Sequence, residues 1–136
     1  MTRVWVRTAA SYWRWLPFLL CAAALAYGVF RRQPPPEFFL QSDKVLHVLA
    51  FTGLALCTRL AIYSAPVRWV VLGLLCAAVG TEYLQHWVQP LRMFSFYDAA
   101  SNMVGVMLGL LCWAVLMQTA LGARLVRVAY GTLRRL

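Results

Sequence analysis

Acidic residues are the scarcest charged class in this 136-residue chain: four Asp and Glu stand against thirteen Lys and Arg, a formal charge of +9. So basic a balance suits nucleic acid only if the basic residues share one exposed face. Here they lie between apolar runs and at the two ends. That is how residues flank helices in a bilayer containing anionic lipid, so membrane lipid and not nucleic acid is the expected partner. No Cys-x-x-Cys occurs, and Cys21, Cys57, Cys76 and Cys112 each fall in a different apolar run. They read as small apolar filler; a disulfide or a metal site would need two of them to meet at one depth. Internal repeats, low-complexity segments and any stretch polar enough for a soluble domain are also missing.

What fills the chain is hydrocarbon. Hydrophobic residues make up 62% of it, and the mean hydropathy is +0.68. A soluble domain of this length cannot bury so much apolar surface. The first apolar run, 15–30, follows Arg3, Arg7 and Arg14 and also resembles a signal peptide, with Ala24 and Ala26 as a cleavage pattern. The run continues to Phe30 and meets Arg31-Arg32 at once, so an uncleaved helix is expected. Pro34-Pro35-Pro36 then forces an extended linker. Further runs cover about 45–62, 67–88 and 99–121, each close to the roughly 20 residues that a ~30 Å hydrocarbon core requires. Arg59, near the end of the second run, can snorkel. The segment 121–136 places Arg124, Arg127, Arg134 and Arg135 on one helical side, with Leu121, Leu125, Val128 and Ala129 on the other. The expectation is an all-α membrane protein of one domain, with four transmembrane helices and a C-terminal amphipathic surface helix.

Four spans put both termini on one side. Nine arginines collect there: Arg3, Arg7, Arg14, Arg59, Arg68, Arg124, Arg127, Arg134 and Arg135. The other side receives Arg31, Arg32, Lys44 and Arg92. The positive-inside rule then sets both termini in the cytoplasm of a multi-pass protein of the bacterial inner membrane.

On this topology every acidic residue goes to the outward side: Glu37, Asp43, Glu82 and Asp98. His47 lies one turn below Asp43 and Asn102 one turn below Asp98, each about 6 Å deeper. Glu82 comes roughly 22 Å above Val67, in the outer third of the bilayer. Asp43, Lys44 and His47 share a helix face by their spacing. Glu82, Gln85, His86 and Gln89 stack along one face of the third run. Arg92 and Ser95 lie in the loop before Asp98. An ionisable group in lipid is costly unless paired, which makes it a functional hypothesis by default. Three readings are open. The cluster binds an outside ligand; it glues the helices through hydrogen bonds; or Glu82, Asp98 and His47 do acid/base work beside a Ser95 nucleophile. Two histidines with carboxylates match no strong metal signature, so neither metal nor cofactor is expected. Gly105 and Gly109 form a GxxxG on the fourth run, and Gly73, Ala77 and Gly80 put small residues along the third. Both stripes read as helix packing.

In order, the residues Asp43-Lys44-x-x-His47, Glu82-x-x-Gln85, Pro90-x-Arg92-x-x-Ser95-x-x-Asp98-x-x-x-Asn102 and Gly105-x-x-x-Gly109 resemble the VanZ-like family of small bacterial membrane proteins. The resemblance covers about 43–109. It implies a compact four-helix membrane protein and gives weight to the same residues that the depth argument selects. The family is named for a glycopeptide-resistance accessory protein that lowers sensitivity to teicoplanin, a phenotype of particular members. The reading that follows is an outward polar pocket for an anionic or lipid-linked cell-envelope ligand, such as a cell-wall precursor. Arg92 and Lys44 would meet the anionic group. A purely structural scaffold and a small intramembrane hydrolase or transferase stand as the alternatives.

Overall fold

The computed structural model describes residues 12–31, 39–89 and 93–130. These form five helices and no strand: α1 Trp15–Phe30, α2 Ser42–Ala61, α3 Val67–Val88, α4 Phe96–Met117 and α5 Ala120–Tyr130. Pro17 sits in the first turn of α1, where its missing N–H has no intrahelical acceptor to lose. Gln41, with φ 66°, turns the chain sharply into α2. Pro66 precedes the first residue of α3. Ser95 caps α4, its hydroxyl accepting the Asp98 N–H at 3.2 Å.

Three helices, not the expected four, are long and apolar enough to cross a membrane by themselves: α2, α3 and α4. α1 is apolar throughout but has 16 residues, about 24 Å at a rise of ~1.5 Å per residue. Arg14 and Arg31 bound it on either side, and its last turn passes into extended backbone at Arg31. α2 begins three residues earlier than the apolar pattern suggests, and so does α4. In each case a turn or cap residue recruits polar residues, Asp43 and Asp98, into the first helical turn.

α2 and α4 pack most tightly, running parallel, because glycine lets their backbones touch. A Cβ on Gly105 would stand 2.5 Å from the Val48 carbonyl oxygen, and one on Gly109 2.5 Å from that of Thr52. Thr52 seals the seam, its hydroxyl donating to the carbonyls of Val48 at 2.7 Å and Gly105 at 3.1 Å. Phe51, Leu54, Ala55 and Val106 meet Val70, Leu74 and Ala78 of α3 in the core. α1 lies against α2, where the Cys21 and Cys57 thiols approach to 3.6 Å. Two cysteines thus do meet at one depth, as free thiols. The bundle reads as a ring of α1, α2, α4 and α3, with its loosest side between α1 and α3. Leu19, Leu20, Met107 and Leu111 are exposed on its outer surface, as apolar side chains facing lipid would be.

α5 is an amphipathic helix, but the apolar side that it buries packs on the bundle and differs in part from the expected one. Its buried side is Gly122 and Ala129, with Leu125 and Val126 beside them, whereas Leu121 and Val128 are exposed. The Tyr130 hydroxyl donates toward the carbonyls of Leu60 at 2.8 Å and Ala61 at 2.9 Å, and accepts the Tyr63 N–H at 2.7 Å. α5 is thereby hooked onto the end of α2. Arg124 and Arg127 are exposed on it; Arg134 and Arg135 lie outside the described residues. Arg59 is buried, and its guanidinium reaches past the end of α2 to donate to the carbonyls of Ala65 at 3.1 Å and Tyr63 at 3.2 Å, open acceptors of the turn that follows.

Candidate functional site

At the opposite end of the bundle, where α2 and α4 begin and α3 finishes, polar side chains converge from three helices. The parallel register of α2 and α4 sets His47 beside Asn102, one turn before the Val48–Gly105 contact. His47 Nδ1 lies 2.9 Å from Asn102 Oδ1. The Asn102 amide nitrogen donates to the Ala78 carbonyl at 3.0 Å and to Glu82 Oε1 at 3.3 Å. With its amide oriented this way, Asn102 requires a proton on His47 Nδ1. His47 Nδ1 is also 3.7 Å from Glu82 Oε1, an ion pair when the imidazole is protonated. Asn102 is fully buried, and its single amide ties α2, α3 and α4 together.

Above this hub lies a second layer. Lys44 Nζ is 3.2 Å from Asp43 Oδ2 and 3.4 Å from Asp98 Oδ1. The Lys44 side chain is 31% exposed and that of Asp98 7%, so the ammonium stands at the rim and the carboxylate below it. The three groups alternate in sign across α2 and α4. Asp98 reaches this position because the Ser95 cap starts α4 just before it.

The remaining expected residues divide. Glu82 and Gln85 are both buried on α3, and Gln85 Oε1 has no hydrogen-bond partner among the described residues. His86 shares their stretch of helix but is exposed. Gln89 turns to α1, its amide donating to the carbonyls of Val29 at 2.7 Å and Arg31 at 2.8 Å. Arg92 and Glu37 lie outside the described residues. Ser95 serves as a helix cap. Gly105 and Gly109 pack α2 on α4. Trp87, Met93, Phe96 and Tyr97 are strongly exposed around this end, as belt residues would be. Phe94 stacks near Tyr83 and Phe96, at ring separations of 4.7 and 5.0 Å. Sequence reasoning missed the Ala78 carbonyl, because a backbone acceptor leaves no mark in the residue type. It also missed the Gln89 strap, whose partners are backbone atoms some 60 residues away.

One atom from each of His47, Glu82 and Asp98 lies within 4.8 Å of the others. The Lys44 ammonium already brings a positive charge to Asp98, and the Asn102 N–H occupies Glu82. The arrangement is a hydrogen-bonded ion network, able to orient a polar group at its rim. Comparison with protein-family models, with curated proteins and with solved structures gives no match for this chain.

Proposed function

We propose that this is a VanZ-like membrane protein that crosses the bacterial inner membrane four times with both termini cytoplasmic. We further propose that its outward end binds an anionic or lipid-linked cell-envelope ligand. The ordered residues from Asp43 to Gly109 support the family, and the excess of arginine at the opposite end supports the orientation. α1 would cross with its flanking Trp13, Arg14 and Arg31 in the headgroup layers, the bilayer thinning locally to match.

The observation that carries the ligand reading is the second polar layer. Asn102 alone is enough to tie three helices. Glue needs no further charge, yet Asp43, Lys44 and Asp98 add three more ionisable groups at the rim. Charged groups in such positions are expensive and mark ligand pathways. Lys44, oriented by two carboxylates, would meet an anionic headgroup together with Arg92 from the adjacent loop. A resistance-type accessory role would follow if that ligand were a cell-wall precursor. The scaffold reading draws on the Asn102 hub itself. A hydrolase using Ser95 is weakened because the Ser95 hydroxyl oxygen is engaged as a cap.

The test is photocrosslinking from position 92 in native membranes, followed by lipid analysis. Enrichment of an anionic lipid-linked species, lost in Lys44→Met, is the expected result. Adducts that mirror the bulk lipid composition and ignore Lys44→Met would leave the scaffold reading alone.

A further inference from the structure

The loose side of the ring encloses a groove of about 460 Å³ between α1 and α3. Ala22, Ala26 and Val29 of α1 face Gly73, Leu74 and Ala77 of α3 across it. Of the small residues of α3 expected to pack helices, Ala77 borders the core but the two glycines pack none: a Cβ on Gly73 or Gly80 would meet nothing within 4 Å. Gly105 and Gly109 show what a used stripe looks like, with backbone at 2.5 Å. The two hydroxyls that border the groove are withdrawn from it, Thr58 bonding the Leu54 carbonyl and Thr81 that of Ala77, each at 2.7 Å. The walls are therefore dry hydrocarbon.

The size selects the occupant. The α1 wall runs from Phe18 to Phe30 and the α3 wall from Trp69 to Leu84, each about 20 Å long at ~1.5 Å per residue. A helix 10–12 Å across would fill roughly 1,600 Å³ or more over that length, more than the space present. A single hydrocarbon chain, far thinner than a helix, fits the groove. Its Phe18–Trp69 end is flanked by Arg14 and Arg68, and the first turns of α1 and α3 hold no acidic residue. Arg14 rests over the Tyr130 ring at 4.1 Å, while Arg68, exposed and 5.8 Å from the ring of Trp69, stands directly beside the groove's end. We infer that the α1–α3 groove is a binding slot for one acyl chain of an anionic phospholipid, with its phosphate at the Arg14 and Arg68 end. None of the polar-cluster residues lines this slot, so its failure leaves the ligand reading untouched.

The full-length protein is reconstituted in vesicles of equal phosphatidylglycerol and phosphatidylcholine, each tested with a photoreactive acyl chain, and adducts are mapped by peptide. Labelling should concentrate on Phe18–Phe30 and Trp69–Leu84 above that at lipid-facing Leu111. The double substitution Gly73→Leu with Ala77→Leu, which fills open space, should remove it and leave Leu111 unchanged. Arg14→Gln with Arg68→Gln should lower the preference for phosphatidylglycerol by about fivefold or more, given the worth of a basic residue at an anionic surface, with the slot labelling retained from phosphatidylcholine. Slot labelling no higher than at Leu111, or unaffected by the filling variant, overturns the inference. Equal wild-type labelling by both lipids overturns the anionic half. A dimer across this face, broken by the filling variant, would assign the groove to a second copy instead. Should the filling variant fail to fold, the wild-type contrast with Leu111 and the arginine variants still decide.

Discussion

The two ends of the bundle both bury polar groups, but they satisfy them differently. At the arginine-rich end, Arg59 and Tyr130 bond backbone carbonyls of Leu60, Ala61, Tyr63 and Ala65. Those carbonyls are left open because α2 stops there, and every helix end requires such partners. Packing explains this end fully. At the acidic end, side chains bond mainly one another: His47 with Asn102, Asn102 with Glu82, Lys44 with Asp43 and Asp98. Asp43 and Asp98 suit the N-terminal first turns of α2 and α4, but Lys44, His47 and Glu82 answer no such need. Buried pairs of this kind are weak evidence for stability, since desolvation offsets their attraction. The groups that close helix ends and the groups proposed to meet a ligand thus differ in what they bond.

The sharpest way to break this comparison is at Arg59. Arg59→Ala strips two loop carbonyls of their donor and removes a packed side chain beside Trp113. A loss of about 2–4 kcal/mol is expected, enough to lower the detergent melting temperature markedly. Tyr130→Phe comes next. It keeps the ring under Arg14 but deletes the hydroxyl that three backbone groups share, at about 1–2 kcal/mol. It should also release α5 to limited proteolysis. Glu82→Gln should have the smallest effect on stability, within about 1 kcal/mol, because a Gln oxygen still accepts from Asn102. If Glu82→Gln unfolds the protein as readily as Arg59→Ala, the two ends are alike and both are glue.

The sequence made some of this legible and hid the rest for physical reasons. α3 matches its expected bounds, 67–88, because Pro66 and Pro90 bracket it. The i, i+4 pairs Asp43–His47 and Asp98–Asn102 announced two faces at one depth, since helical spacing is local. α2 and α4 start three residues before their apolar runs because polar first-turn residues look like loop in a sequence. α1 reads as a span by composition, but its 16 residues are fewer than a span by itself requires. Tyr130 could not be found from sequence: its partners are carbonyls about 70 residues away, and a tyrosine in a basic tail reads as surface. The two small-residue stripes look equivalent in the sequence, yet only Gly105 and Gly109 meet a neighbouring backbone. Which stripe finds a partner depends on how the helices are arranged around the ring, and spacing along one helix carries no information about that.

The central claim is that the acidic end binds while the arginine end holds. It is tested most directly by measuring, in the same membranes, crosslinked ligand per folded molecule and melting temperature for Lys44→Met and Tyr130→Phe. The account expects Lys44→Met to lose the crosslink with its melting temperature nearly unchanged, and Tyr130→Phe to melt earlier with its crosslink per folded molecule intact. Lys44→Met keeping a full crosslink, or losing it only in step with folded protein, would contradict the claim.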